Sequence, residues 1–287
     1  MKKKILIIGS TGMLGHQVYK HFKKNEEKFE IIDITYRTKV SPKSIVLDVT
    51  NSDELSKCLK ENKPDYVINC VGILISGSNN NIANAIYINA YLPHFLAKKC
   101  SEINAKLIHI STDCVFSGQK GKYTEGDEKD GKDTYAKTKG LGEVTYENHV
   151  TLRTSIIGPE LKKNGEGLLH WFLNQNGAIQ GYTKAIWSGV TTYELARFIE
   201  VAINFDLNGL YHVTNNESIN KYDLLKLFSK NLNKEIHIEA VEGKSVDKSL
   251  IDTQKAVNYK IPVYEEMIKE MFLDIKENAV DYKHYNV

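Results

Sequence analysis

The sequence predicts an α/β fold of the Rossmann type, in which a doubly wound parallel sheet is joined to a smaller C-terminal substrate lobe. Two observations support this class. Over the first 155 residues, short runs of β-branched and aliphatic residues alternate with helical patterns, as expected for parallel strands joined by right-handed crossover helices. The first run, Lys4–Ile8, also leads directly into a glycine-rich segment and then into a helical pattern. We therefore expect a ligand site at the carboxyl edge of the sheet.

The glycine-rich segment Gly9-Ser10-Thr11-Gly12-Met13-Leu14-Gly15 predicts a dinucleotide-binding turn. Gly9 would allow the tight turn, Gly12 would let the backbone approach a pyrophosphate, and Gly15 would let helix and strand pack closely. The N-terminus of the following helix would offer free N–H groups to phosphate. A glycine turn without a ligand is the simpler alternative, but the position at the start of a βαβ unit favours a dinucleotide. The expected contacts are Gly9, Thr11, Gly12, Met13, Leu14 and Gly15.

The second predicted strand, Phe29 to Tyr36, bears on the choice between NAD and NADP. An NAD enzyme usually presents an acidic residue at the end of this strand to hold the ribose 2′-hydroxyl. Here the strand is followed by Arg37, and a guanidinium suits a 2′-phosphate. The sequence thus favours NADP(H) over NAD(H). Asp33 is the competing candidate, but it lies mid-strand in the predicted register, and an ordinary solvated charge is the alternative for Arg37.

Two further strands would complete the cofactor side of the sheet. Ile45–Val49 would place Asp48 near its end, where a carboxylate can accept from the adenine amino group. After a helix over Asn51–Glu61, the run Tyr66–Val71 would form the fourth strand and end at Gly72, a small residue that lets a cofactor lie across the strand ends. The contacts expected here are Asp48, Val49, Cys70, Val71 and Gly72.

The middle of the chain continues the same alternation. Ser76–Asn81 predicts a polar loop that would border the substrate, and Ile82–Ser101 predicts a long helix that carries Asn89. Pro93 predicts a kink or restart within that helix. Lys106–Ser111 would form the fifth strand and deliver polar side chains to the sheet edge.

Tyr135 and Lys139 are four residues apart in a helical pattern and would share one face. A nearby ammonium would lower the pKa of the phenol from its usual value of about 10, so the pair would act as a general acid or base near neutrality. The Thr112 hydroxyl, just after the fifth strand, would hydrogen-bond a substrate carbonyl. Taken alone, a Tyr–Lys pair on a solvated helix is the commoner explanation.

The alternation weakens after the sixth strand, which begins at Val150. We expect residues 1–155 to form the cofactor domain, with 188–214 returning to it, and 156–187 and 215–287 to form the substrate lobe.

Several residues are candidates for binding the substrate. His170 and Trp171 would face a pocket, and Trp187 would stack on a nucleotide base, although a large aromatic side chain is more often core. Lys248 would meet a diphosphate, although a solvated lysine is the more common situation. The expected substrate contacts are Thr112, Asp113, Val115, Arg153, Trp171 and Trp187.

Composition argues against several classes of function. Thirty-eight basic residues are nearly matched by 36 acidic ones and are dispersed, so no nucleic-acid partner is expected. No apolar run approaches the length of a membrane span, so no membrane partner is expected. The cysteines, Cys58, Cys70, Cys100 and Cys114, form no CxxC pair and fit reduced core residues of a cytoplasmic protein. The nine histidines show no ligand spacing, so no metal site is predicted.

Together, the glycine turn, the Ser/Thr cluster and the Tyr–Lys helix resemble the extended short-chain dehydrogenase/reductase family over essentially the whole chain. Within it, Ser111-Thr112-Asp113-Cys114-Val115-Phe116-Ser117-Gly118 is most similar to the dTDP-4-dehydrorhamnose reductase branch. Val46-Leu47-Asp48-Val49-Thr50-Asn51 and the helix position of Asn89 are also similar to that branch. The chain departs from the branch at Cys114, where tyrosine is typical.

The resemblance implies a role for each residue of the site. Tyr135 would protonate a carbonyl oxygen as hydride arrives from the nicotinamide. Lys139 would lower the pKa of Tyr135 and bond the nicotinamide ribose, and Thr112 would hydrogen-bond the same carbonyl. Asn89 would support the lysine through a water. The implied activity is NADPH-dependent reduction of a nucleotide-linked 4-keto-6-deoxy sugar, in deoxysugar synthesis for surface polysaccharide.

Other functions on the same fold stay open. The 4,6-dehydratases usually carry an acidic residue where this chain has Cys114, which argues against dehydration. An NAD(P)-dependent sugar-nucleotide epimerase would need only the same Tyr–Lys pair. A regulatory subunit of methionine adenosyltransferase resembles the same branch and would bind NADP without turnover. The nucleotide, the sugar, the product stereochemistry, a homodimer and a divalent-ion requirement also stay open.

Overall fold

The computed structural model describes residues 2–232, 235–255 and 257–285. The strands are β1 (Lys3–Ile8), β2 (Phe29–Thr35), β3 (Ile45–Val46), β4 (Tyr66–Asn69), β5 (Lys106–Thr112), β6 (Val150–Thr154), β7 (Ile156–Ile157), β8 (Ala178–Tyr182), β9 (Ala185–Trp187), β10 (Val190–Thr191), β11 (Gly209–His212), β12 (Ile219–Asn220), β13 (His237–Val241) and β14 (Val246–Asp247). The α-helices are α1 (Gly15–Lys24), α2 (Ser52–Asn62), α3 (Ile75–Asn80), α4 (Ile82–Ala85), α5 (Leu92–Glu102), α6 (Thr134–Leu141), α7 (Leu168–Leu173), α8 (Thr192–Asn204), α9 (Lys221–Leu232) and α10 (Tyr264–Glu277). A π-helical segment covers Ile86–Tyr91, and two 3-10 turns cover Asp113–Val115 and Ala279–Tyr282.

The central sheet has seven parallel strands in the order β11-β6-β5-β4-β1-β2-β3. The chain builds outward from β1 through β2 to β3, and then returns to add β4, β5 and β6 on the other side. The direction therefore reverses between β1 and β4, and a crevice opens there beyond the strand ends. The predicted doubly wound parallel sheet is confirmed.

Helices cover both faces of this sheet. Ile5 and Ile7 of β1 pack in one apolar layer with α1, α8 and α10, whereas Leu6 and Ile8 pack in the opposite layer with α2 and α5. This two-sided burial explains why residues 5–8 of β1 form a continuous apolar run with no polar face. It also explains why every residue of β5 is buried.

The structure corrects several predicted boundaries between residues 45 and 102. β3 and β4 end at Val46 and Asn69, earlier than expected, because the residues that follow them turn out along the crevice. The predicted polar loop over 76–81 is mostly the helix α3. The predicted long helix is divided into α4, a π-helical segment and α5. Pro93 lies in the first turn of α5, directly after the π-helical segment, so the restart expected at this proline coincides with the change from π-helix to α-helix.

The remaining strands form small sheets. β9 lies between β12 and β14, β8 pairs with β13, and β10 pairs with β7. Residues 188–214 lead back to the central sheet, where β11 pairs with β6. We propose the domain division that follows from this connectivity, with a cofactor domain of 1–155 and 188–214 and a substrate lobe of 156–187 and 215–287.

Candidate active site

The glycine turn between β1 and α1 is shaped by close backbone contacts. Gly9 has φ +87°, a conformation that favours glycine. A Cβ added to Gly15 would lie 2.0 Å from the carbonyl oxygen of Gly9, so no side chain fits there. The N–H of Gly12 donates to the same oxygen at 3.0 Å. The turn thus folds tightly enough to bring backbone N–H groups to the mouth of the crevice.

The crevice itself has a volume of about 380 Å³ and lies beyond the carboxyl ends of β1 to β4. Most of the predicted cofactor contacts line it, namely Gly9, Thr11, Gly12, Asp48, Val49, Cys70, Val71 and Gly72. Sequence analysis missed other lining residues, which include Tyr36, Thr50, Ile73, Asn84, Ile88 and Lys162. The predicted cofactor contacts that do not line it are Met13, Leu14, Gly15, Arg37, Asn89, Tyr135 and Lys139. Of these, Leu14 is buried in the core.

The end of β2 carries the groups that would distinguish the two cofactors. Arg37 is exposed, and its guanidinium lies 4.6 Å from the ring centroid of Tyr36, which lines the crevice. Asp33 is buried and accepts a hydrogen bond from the Ser10 hydroxyl at 2.7 Å. The carboxylate of Asp48 accepts from the backbone and the hydroxyl of Thr50 at 2.9 and 2.8 Å. The Arg37 guanidinium is therefore a positive charge next to a residue that lines the crevice, whereas the carboxylates of Asp33 and Asp48 already accept hydrogen bonds.

The structure brings Thr112, Tyr135 and Lys139 together at the carboxyl end of β5. Asp133 begins α6 by accepting from the backbone N–H of Ala136 at 2.8 Å, a common helix cap. Tyr135 and Lys139 then lie on the buried face of α6. The ammonium of Lys139 donates to the carbonyl of Ile110 in β5 at 2.7 Å. The Thr112 side chain lies close enough to the Tyr135 phenol to influence its pKa.

Burial is the main cause of the pKa shifts of Tyr135 and Lys139. It raises the pKa of Tyr135, and the neighbouring Cys114 adds to the shift while Thr112 opposes it. Burial also lowers the pKa of Lys139 to about 8, against the attraction of Glu143. The predicted lowering of the Tyr135 pKa is contradicted in this structure, because desolvation dominates and Lys139 is directed to the Ile110 carbonyl.

Asn89 lies in the π-helical segment and is fully buried. Its amide accepts from the N–H of Ile73 at 2.8 Å and donates to the Ile73 carbonyl at 2.9 Å and to the Thr138 hydroxyl at 3.3 Å. The Asn89 amide therefore does not point into the crevice, although we expected it to contact the cofactor. Instead, Asn89 links the loop after β4 to α6, the helix that carries Lys139.

Arg153 is contradicted as a substrate contact. Its side chain is 1% exposed and forms a double hydrogen bond with Glu143, at 2.8 and 2.7 Å. A third nitrogen lies 2.8 Å from Nε2 of His212. A buried guanidinium needs such partners, so this arginine is part of the core beneath the site.

Three further predicted positions are also corrected by their surroundings. Trp187 is buried, donates to the Ser155 hydroxyl at 2.8 Å and packs against Tyr264, so its ring is not open to a nucleotide base. Val115 is buried in a small apolar cluster. His170 is buried with its Nδ1 2.9 Å from the Tyr285 hydroxyl, whereas Trp171 beside it is exposed as expected.

Two lysines that directly follow β12 and β14 lie near Asp113, which adjoins Thr112. Lys221 lies with its ammonium 5.7 Å from the ring centroid of Trp187, and Lys248 opposes the rise that burial causes in the pKa of the Cys114 thiol. Burial raises the pKa of Asp113, and both ammonium groups oppose that shift. Sequence analysis missed Lys221 and favoured a solvated Lys248, because only the pairing of β12 and β14 with β9 brings them together.

Within residues 2–232, 235–255 and 257–285, no group of three or more His, Cys, Asp or Glu side chains is arranged to hold a metal ion. Over the same residues, no helix combines the length and apolar character needed to cross a membrane.

Known proteins resemble this chain in sequence and in fold. A family model described as RmlD substrate binding domain matches residues 2–271. The chain is 26% identical over 242 residues to methionine adenosyltransferase 2 subunit beta of Xenopus tropicalis, which covers 77% of this chain and 70% of that protein. It is 27% identical over 230 residues to a probable dTDP-4,6-dihydroxy-2-methyloxan-3-one 4-ketoreductase of Streptomyces antibioticus, with 76% and 74% covered. Its fold matches dTDP-4-dehydrorhamnose reductase from Bacillus anthracis in complex with NADP, with a TM-score of 0.82, 23% identity and coverage of 96% of this chain and 100% of that chain.

The family match covers nearly the whole described chain, and the fold match covers both the central sheet and the small sheets. The chain therefore belongs to the RmlD substrate binding domain family.

Proposed function

We propose that this protein is an NADPH-dependent reductase of a nucleotide-linked 4-keto-6-deoxy sugar. The observation that carries the proposal is the convergence of Thr112, Tyr135 and Lys139 at the carboxyl end of β5, the same edge of the sheet at which the glycine turn lines a crevice. We further propose that it acts in the cytoplasm, in deoxysugar synthesis for surface polysaccharide.

The crevice fits a nicotinamide dinucleotide. At Gly15 and Gly9, an added Cβ would strike neighbouring atoms, so the turn keeps its backbone bare for a diphosphate. Arg37 would hold the 2′-phosphate, and this supports NADP(H) over NAD(H). When bound, the nicotinamide supplies the hydride.

The catalytic residues would manage the charge that develops on the carbonyl oxygen. Because burial raises the pKa of Tyr135, its phenol stays protonated at neutral pH and would donate to that oxygen. The Thr112 hydroxyl would donate a second hydrogen bond. Lys139, with a pKa of about 8, is mostly an ammonium at neutral pH and would stabilise negative charge. A buried site strengthens each of these contributions.

The charges opposite the catalytic group support an anionic substrate. Lys221 and Lys248 face one carboxylate, Asp113, and form no ion pair within 4 Å with any carboxylate in the described part of the chain. This excess of positive charge suits the diphosphate of a nucleotide sugar.

The proposal is tested by following NADPH oxidation against a panel of nucleotide-linked 4-keto-6-deoxy sugars. Tyr135→Phe removes only the phenol oxygen and should lower turnover by roughly a hundredfold to ten-thousandfold while NADPH binding stays near normal. Tyr91→Phe changes an exposed tyrosine and should leave turnover unchanged. Full turnover by Tyr135→Phe would refute the assignment of the acid.

A non-catalytic regulatory subunit is the second candidate. It is favoured by the likeness to relatives named methionine adenosyltransferase 2 subunit beta. Tight NADPH binding without oxidation of any sugar in the panel would favour this function over the reductase.

A further inference from the structure

The loop that follows β7, residues 158–167, belongs to the proposed substrate lobe and contacts the glycine turn of the cofactor domain. A Cβ added to Gly167 would lie 2.6 Å from the methyl carbon of Met13, so the loop and the turn are in direct contact. On the same loop, Lys162 lines the crevice. One lysine of the second lobe thus reaches the site that the first lobe builds for the cofactor.

Both ends of this loop are held in place. A carboxylate oxygen of Glu160 accepts from the backbone N–H of Gly167 at 2.7 Å, which closes the loop on itself. The backbone N–H of Glu160 donates to the Tyr285 hydroxyl at 3.1 Å, and that hydroxyl also contacts His170 in α7. The loop that carries the exposed Lys162 is therefore held by its own closure, by α7 and by the C-terminal segment.

Few charged side chains line the crevice. Among the described residues that line it, Lys162 is the only lysine or arginine and Asp48 is the only carboxylate. Asp48 is engaged by Thr50, and Lys162 has no carboxylate within 4 Å among the residues that the structure describes. The glycine turn itself offers backbone N–H groups but no full positive charge.

We propose that Lys162 is a phosphate-binding residue for the dinucleotide, supplied by the substrate lobe across the crevice. The inference rests on the proposed nicotinamide cofactor, and the phosphate is either the diphosphate or the 2′-phosphate. Since the lysine belongs to the second lobe, cofactor binding would fasten that lobe to the cofactor domain.

The test measures the Kd of NADPH and of NADH by titration of the full-length protein and its variants, without substrate. Lys162→Ala should weaken NADPH about tenfold, as expected for loss of one hydrogen bond to a charged group. Lys163→Ala changes the exposed neighbour, which does not line the crevice, and should bind as the unaltered protein does. Lys162→Arg should recover most of the affinity, because the positive charge is kept.

The outcomes separate the two phosphates and the two proposals. An equal loss for NADPH and NADH would identify the diphosphate, and a loss confined to NADPH would identify the 2′-phosphate. Unchanged binding by Lys162→Ala, or an equal loss for Lys163→Ala, would overturn the role of Lys162 and leave the proposed function standing. Failure of the unaltered protein to bind either dinucleotide would overturn both.

Discussion

Removing either partner of the buried Glu143–Arg153 ion pair should destabilise the protein far more than removing an exposed ion pair. Both side chains are 1% exposed, and their two hydrogen bonds are 2.8 and 2.7 Å long. Loss of one partner strands the other charge in a medium of low dielectric constant, which costs about 3–5 kcal/mol. That is a large part of the total stability of a typical domain, about 5–15 kcal/mol.

The two single variants should differ in a defined direction. In Arg153→Met, the carboxylate of Glu143 keeps its contacts with the Ser111 hydroxyl at 2.7 Å and the Lys129 ammonium at 3.1 Å. We therefore expect the free energy of unfolding to fall by about 3 kcal/mol. In Glu143→Leu, the guanidinium keeps only His212. Burial and the nearby Arg153 lower the pKa of His212 to about 4, so it is neutral and cannot compensate the charge. We expect the free energy of unfolding of this variant to fall by about 5 kcal/mol.

The assay is urea unfolding followed by circular dichroism, with the double variant included. The decrease in the free energy of unfolding should be far smaller for Glu143→Leu/Arg153→Met than the sum of the decreases for the two single variants, because the double variant leaves neither charge unpaired. Glu61→Leu, in an exposed pair with Lys57 at 3.8 Å, should change stability by less than about 1 kcal/mol. Additive losses in the double variant, or single losses no larger than that of Glu61→Leu, would refute the reasoning.

The pH dependence of the same variants has a definite sign. Although burial opposes it, the Arg153 guanidinium holds the pKa of Glu143 below its usual value. The folded state therefore binds the proton less readily than the unfolded chain, so the pair's contribution is present above the unfolded pKa of about 4.3. It is lost as the pH falls through the folded pKa, and the stability difference between Glu143→Leu and the unaltered protein should narrow there.

Three other outcomes follow from the site. Because Lys139 has a pKa of about 8, kcat/KM for NADPH-dependent reduction should fall as the pH rises through that value and the ammonium is lost; a flat profile from pH about 7 to 9.5 would contradict its role. Gly15→Ala should abolish dinucleotide binding in a titration, since the new Cβ would lie 2.0 Å from the Gly9 carbonyl oxygen. Near-normal affinity would show that the backbone of the glycine turn can shift to accommodate the methyl group. Arg37→Ala should weaken NADPH about tenfold more than NADH if the guanidinium holds the 2′-phosphate; an equal loss would indicate general damage to the turn.

Local sequence was enough to predict the sheet and the parts of the site that depend on neighbours in the chain. The strand β1 is a continuous apolar run because Ile5 and Ile7 enter one layer while Leu6 and Ile8 enter the other. A strand of that kind implies helices on both faces. The spacing of Tyr135 and Lys139 likewise needs only one helical turn to place them on a common face.

The errors concern side chains whose surroundings are set by distant parts of the chain. An arginine is usually exposed, and nothing near Arg153 in sequence reveals that His212, 59 residues away, and Glu143 will enclose it. Trp187 was ambiguous for the same reason, since its partner Tyr264 belongs to α10. Lys162 and Lys221 lie on a loop and at the start of a helix, where lysines are common, so only the folded lobe reveals their direction.

The buried charges also connect the segment after α6 to the strands β5 and β6. Glu143 follows α6 and accepts from Ser111, the residue before Thr112 in β5. It pairs with Arg153 in β6, and its charge opposes the fall in the pKa of Lys139. One carboxylate thus helps to hold β5 in position and favours the ammonium form of Lys139. A glutamate in the core is costly as a packing element, and its placement here is better explained by its effect on the site than by stability alone.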